Sequence, residues 1–160
     1  GIRNATLVGH SFGGAVAIVA ASLLPASTLR RLVLIDPLGA PIQRTRTGWN
    51  VRWLQKELQN ITHAPRRYVQ NVVSPFGYNL RNNTRDLFRL AEECKRLDVR
   101  AEAKKISIPT LILWGDRDVF VPISVGEELA SIMPHAMLQV VPGMHDWPLL
   151  NPAALAKALE

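Results

Sequence analysis

Gly9-His10-Ser11-Phe12-Gly13-Gly14 sets a serine between glycines, with the apolar run 5–8 before it and the small-residue run 15–24 after it. That order reads as strand, tight turn, helix. A serine at such a turn is driven toward sparsely allowed backbone angles, and glycines on either side remove side chains that would collide with strand and helix. The hydroxyl then stands above the sheet, where the unpaired N–H groups and positive end of the following helix stabilise developing negative charge. This suits a nucleophile; the plainer alternative is a glycine-rich turn whose serine only caps the helix.

A serine hydroxyl becomes a nucleophile near neutral pH only beside a base, and the base needs a partner that fixes its tautomer. Both residue types follow later apolar runs. Gly115-Asp116-Arg117-Asp118 comes after the run 109–114, and Pro142-Gly143-Met144-His145-Asp146 after the run 136–141. In a parallel sheet the carboxyl ends of the strands lie along one edge, where ligands bind, so Ser11, Asp118 and His145 are expected to meet there. Asp36 also follows a strand candidate and is the alternative acid, because such a triad is defined by geometry and not by position. Asp116 reads as a loop-forming residue.

The elements that must position these residues alternate. Residues 31–35, Arg31 followed by a continuous apolar run with β-branched Val33 and Ile35, read as a buried parallel strand. Helices are predicted over 122–133, with Pro122 near the first turn, and over 148–160. Between 41 and 105 the strand pattern stops and helical spacing appears at 49–60, 65–73 and 84–103, the last with Leu87, Leu90, Cys94 and Leu97 on one stripe. Pro65, Pro75, Gly77 and Asn82-Asn83 read as breakers. An insertion of about 60 residues is too long for an ordinary connection and suggests a helical cap. The expected fold class is α/β, about four parallel strands flanked by helices, with a core of 1–40 and 106–160 and a cap or lid over 41–105.

Composition narrows the function classes. The chain has 160 residues, 48% of them hydrophobic, enough for one core and too evenly polar for a membrane span. With Cys94 its one cysteine and no leader-like start, the expected location is cytoplasmic, without disulfides. Of the net charge of +6, residues 43–105 hold 14 Lys and Arg against 6 Asp and Glu. An acidic substrate or anionic surface would suit that segment, and no aromatic-interleaved basic motif supports nucleic acid as a partner. Gly1 lies only a few residues before the first strand and reads as a cut, not a natural beginning.

Gly-His-Ser-Phe-Gly-Gly, Leu-Ile-Leu-Trp-Gly-Asp-Arg-Asp and Gly-Met-His together resemble the α/β-hydrolase fold superfamily, in its cap-bearing, esterase-like serine form, from the nucleophile elbow onward. The resemblance implies Ser11 as nucleophile, His145 as general base, Asp118 as the orienting acid, and the backbone N–H of Phe12 as an oxyanion-hole donor. His10 and Trp147 are candidates to line the pocket, and Asp146 and Trp147 to shape the turn that holds His145. His63 and His135 read as surface or packing histidines, and Cys94 as a buried thiol. No cofactor and no metal are implied. The implied substrate is a small-molecule ester or other acyl compound. One alternative is a carbon–carbon bond hydrolase for acidic dienoate-like substrates, and another is a non-catalytic hydrolase-like binding protein. In the family, further strands and the second oxyanion donor precede the elbow strand. A missing N-terminal segment, or another chain, is therefore expected to cover that strand's apolar edge, and the chain alone is expected to be weak or inactive.

Overall fold

The computed structural model describes residues 1–25, 27–42 and 65–159. Strands β1 (Ala5–His10), β2 (Leu29–Ile35), β3 (Thr110–Gly115) and β4 (Ala136–Val141) form one sheet in that order, each neighbouring pair parallel. The helices are α1 (Phe12–Leu23), α2 (Pro65–Tyr68), α3 (Ser74–Asn82), α4 (Thr84–Arg96), α5 (Arg100–Ala103), α6 (Ile123–Ile132), α7 (Trp147–Leu150) and α8 (Pro152–Leu159), with a π turn (Val69–Val73) between α2 and α3. All four apolar runs of the sequence become strands.

The period of two along the strands builds two cores. On one face Leu32, Leu34, Ile112 and Trp114 pack with Ala15, Ala17 and Ile18 of α1 and with Val125 and Leu129 of α6. On the other face Val33, Ile35, Leu111 and Leu113 pack with Trp147 and, from α8, Ala154 and Leu155. Strand β3 is buried along its whole length, as a continuous apolar run in a parallel sheet should be. The outer strands differ. Among the described residues β1 pairs with β2 alone, and Val8 on it remains 45% exposed, the apolar edge expected for the elbow strand.

Three expected helices change shape. The run 65–73 continues to Asn82, because the widened π turn just before Ser74 accommodates Pro75, which has no N–H to donate and whose ring would strike the carbonyl four residues back. The run 84–103 stops at Arg96. There Val99 donates its N–H to the Gly39 carbonyl (2.9 Å), and Asp98 accepts the N–H of Arg100 (3.1 Å), which starts the separate turn α5. The run 148–160 is split at Asn151, whose backbone (φ −133, ψ 72) is held out of the helical region by Pro152. The helix expected over 49–60 lies outside the described residues. Within them, no helix is long and apolar enough to cross a membrane.

Gly126 lets α6 lie directly on the sheet, since a Cβ there would stand 2.5 Å from Cε3 of the fully buried Trp114 ring. Gly126→Ala is expected to destabilise the fold by about 1–3 kcal/mol in urea denaturation. Gly77→Ala, at a site in α3 where a Cβ meets nothing within 4 Å, should be neutral or stabilising by up to about 1 kcal/mol. Equal midpoints for the two variants would contradict this account of the packing.

Candidate active site

Ser11 sits between β1 and α1 with φ 55 and ψ −123, a strained conformation for a residue with a side chain. None of the described glycines has a positive φ, so the glycines around it provide space and not unusual angles. A Cβ on Gly9 would lie 2.5 Å from the Gly13 carbonyl oxygen and 2.7 Å from Cβ of Ala17, and one on Gly14 would lie 2.5 Å from Cβ of Pro37. At Gly13 a Cβ would meet nothing within 4 Å. The turn is clamped on both sides: the Ser11 N–H donates to the Ile35 carbonyl (3.0 Å), and the Ser11 carbonyl accepts from Gly14 (2.9 Å) and Leu38 (3.0 Å). Phe12 opens α1, so its N–H is among the first four of the helix that no intrahelical carbonyl can accept.

The loops after β3 and β4 close on this turn. His145 is 9% exposed. Its Nδ1 lies 2.7 Å from Oδ2 of Asp118 and its Nε2 2.8 Å from Oγ of Ser11. A carboxylate can only accept, so Nδ1–H donates to Asp118 and the bare Nε2 is left to accept the serine proton. The other oxygen of Asp118 accepts from the backbone N–H groups of Phe120 (2.7 Å) and Val121 (3.0 Å), and its side chain is fully buried. The ring of Phe120 stands against the His145 ring, centroids 5.4 Å apart. These two donors stand two and three residues after Asp118, the local spacing at which an aspartate bonds the turn that follows it, and that spacing is the signal the sequence offers for them.

The neighbouring candidates take other places. Asp36, the alternative acid, does not hold His145 Nδ1; its Oδ1 accepts from Gly115 N–H (2.7 Å) and its Oδ2 from the Trp147 indole N–H (2.8 Å). Trp147 does not line an open pocket, because it packs into the core beneath the sheet and is 4% exposed. His10 donates from Nε2 to the backbone carbonyl of His145 (2.9 Å), so it braces the loop that bears His145. Asp116 accepts the N–H of Gly143 (2.8 Å), tying the loops after β3 and β4 together. Cys94 is half-buried on α4, and burial pushes its thiol upward from its ordinary value. His135 precedes β4, where its carbonyl accepts from Thr110 (2.9 Å), and His63 lies outside the described residues.

Burial and charge act in opposite senses on these groups. For His145, burial favours the neutral ring, but the hydrogen bond and charge of Asp118, with smaller help from Asp146 and Asp36, outweigh it and hold the pKa above its ordinary value. Burial and the adjacent His145 lower His10. Burial pushes Asp36 up to about 7, against the hydrogen bonds from Gly115 and Trp147, and it also raises Asp146. His10, Asp36 and His145 bring potential ligand atoms within 4.8 Å of one another. Both Asp36 oxygens, both His145 nitrogens and Nε2 of His10 are already in hydrogen bonds, so this grouping is not a free metal-binding donor set.

The model of the α/β hydrolase family matches residues 1–158. The uncharacterized hydrolase YugF of Bacillus subtilis is 27% identical over 157 residues, a match covering 86% of this chain and 56% of the relative. A 2-hydroxy-6-oxononadienedioate/2-hydroxy-6-oxononatrienedioate hydrolase of Pseudomonas sp is 26% identical over 165 residues, covering 92% of this chain and 58% of the relative. Among solved structures, a membrane phospholipase A described as a bacterial virulence factor shares the fold, with a TM-score of 0.70 at 23% identity over 99% of this chain and 56% of that one. The chain thus spans little more than half the length of these proteins.

If Asp118 offsets the burial of His145, its removal should leave burial to dominate. In Asp118→Asn the His145 ring is expected to titrate at lower pH than in the unmodified chain, followed by the 15N shifts of the imidazole. An unchanged or higher titration point would contradict the pairing.

Proposed function

The chain belongs to the α/β hydrolase family, and on that premise we propose that it is the part of a serine hydrolase that bears the nucleophile, base and acid, cleaving a carboxylic ester or related acyl bond through an acyl-enzyme. The observation that carries this reading is the unbroken relay from Ser11 Oγ through His145 to Asp118, at 2.8 and 2.7 Å. In the first half-reaction Oγ forms a bond to the substrate carbonyl carbon while its proton passes to Nε2. The imidazolium formed is stabilised by Asp118, which keeps its own charge. The carbonyl oxygen, now an oxyanion, is stabilised by Phe12 N–H and the positive end of α1. Collapse breaks the bond to the leaving alcohol, which takes the proton from Nε2. Water then repeats the sequence on the acyl-serine and releases the acid.

Removing one oxyanion donor typically slows acyl transfer about 10²–10³-fold. With Phe12 as the donor supplied by the described residues, the expected turnover of the isolated chain is weak, and residues 41–105 are proposed to be the cap that shapes the substrate pocket. A second reading, carbon–carbon bond cleavage of acidic dienoates, draws on the Pseudomonas relative named for such a substrate and on the excess of Lys and Arg over 43–105.

A fluorophosphonate probe tests the first reading without knowledge of the substrate. The chain should be labelled at Ser11, and Ser11→Ala should lose the label and at least a thousandfold of any p-nitrophenyl ester hydrolysis. Labelling that persists in Ser11→Ala would overturn the assignment. The second reading predicts turnover of a 2-hydroxy-6-oxo-dienoate that falls when Arg66 and Arg67 are changed to Gln while p-nitrophenyl ester hydrolysis does not. Ester hydrolysis with no dienoate turnover would leave the first.

A further inference from the structure

We propose that Asp36 is a positioning residue of the Ser11–His145–Asp118 relay: a buried carboxyl that fixes the acid-bearing and base-bearing loops relative to the serine. This rests on the serine hydrolase reading for its consequence in catalysis, while its effect on His145 is independent of that reading.

Asp36 is fully buried and adopts a positive φ of 42 directly after β2, a conformation a non-glycine residue keeps only when its surroundings enforce it. Its N–H donates to the Leu113 carbonyl of β3 (2.9 Å). Its Oδ1 takes the N–H of Gly115, three residues before Asp118, and its Oδ2 takes the indole N–H of Trp147, two residues after His145. The residue before it and the second residue after it hold the nucleophile, since Ile35 accepts the Ser11 N–H and Leu38 donates to the Ser11 carbonyl. One short segment, 35–38, therefore reaches the loops of all three relay members. Two donors on separate loops converge on one carboxyl, and replacing it leaves at least one buried N–H without an acceptor, the arrangement in which a hydrogen bond matters most.

The charges around His145 come from every strand end. His10 stands at the end of β1, Asp36 after β2, Asp118 after β3 and Asp146 beside His145 itself. Asp36 is one of the three carboxyls that favour the imidazolium, and its own ionisation falls near neutral pH because it is buried. Loss of its charge removes one of the supports of the charged imidazole, the smallest of the three.

Asp36→Asn keeps the size of the side chain but offers one acceptor and one donor where two acceptors are needed. Two measurements on the chain decide the matter: 15N imidazole titration of His145, and the rate of Ser11 labelling by a fluorophosphonate as a function of pH. The expected result is a His145 titration moved to lower pH, an acid limb of labelling moved with it, and a plateau rate lowered about tenfold or more by displaced loops. If Asp36→Asn does not fold, Trp147→Phe removes the indole N–H together with part of the buried ring while leaving the Asp36 carboxyl in place, and the same two changes are expected, the His145 titration in smaller measure. A folded variant whose His145 titration is unmoved and whose plateau rate is within twofold of the unmodified chain would overturn the proposal. Failure of the hydrolase reading looks different: no Ser11 labelling in the unmodified chain, with the His145 titration still reporting on Asp36.

Discussion

The strained backbone of Ser11 is the constraint on which the rest of the arrangement depends. A residue with a Cβ held at φ 55 costs about 1–3 kcal/mol, and the surroundings must offset it. They do so with three backbone hydrogen bonds, one to the last residue of β2 and one to the turn after it, and with close packing of Gly9 on Ala17 and Gly14 on Pro37. The strain places the hydroxyl at the sheet edge, and the bonds ensure that the edge cannot shift without breaking them. Strand β2 and its turn thus act as the support of Ser11, although they carry none of the three hydrogen-bonded side chains.

The same support extends to Asp118 and His145. Asp118 is held by two backbone N–H groups as well as by His145, so its position is set before any histidine is considered. The His145 loop is braced by His10 through its carbonyl, by the bond between Gly143 and Asp116, and through Trp147 by Asp36. Most of these contacts are between loops that follow different strands. The electrostatic result is a histidine that burial alone would keep neutral and that three nearby carboxyls return to a basic, proton-accepting state.

Among the described helices between β2 and β3, α3 and α4 stand apart from this tightly bonded region, whereas Tyr68 of α2 is buried where α2 packs against α7. Helices α3 and α4 have no buried residue, and Phe76, Tyr78 and Phe88 are each about half exposed or more. Their attachment to the core is made where they end. Ile42 donates to the Lys95 carbonyl, Val99 to the Gly39 carbonyl, and Arg100 pairs with Asp98 and with Glu128 of α6. The ion pairs are partly solvated and add little; the buried Val99 and Ala103 do more.

The sequence by itself determined the strands and their parallel order of appearance, and it pointed to Ser11, Asp118 and His145 as residues that would meet at the strand ends, where they lie within hydrogen-bond distance. The signals are local: β-branched apolar runs, a serine among glycines, and polar residues directly after strands. Parallel pairing then brings strand ends together whatever the details. What it could not decide were the features made by contact between distant segments. Pro75 looks like a helix breaker until the π turn before it accommodates its ring, and 84–103 looks like one helix until Val99 is drawn to Gly39. Asp36 was legible only as a carboxylate after a strand and so as a rival acid; Trp147 looked like a residue of the pocket. Only the tertiary structure set them against each other, because a hydrogen bond between residues 111 positions apart leaves no periodicity in the chain, and the choice between two carboxyls for one imidazole nitrogen is a matter of distances that no spacing encodes.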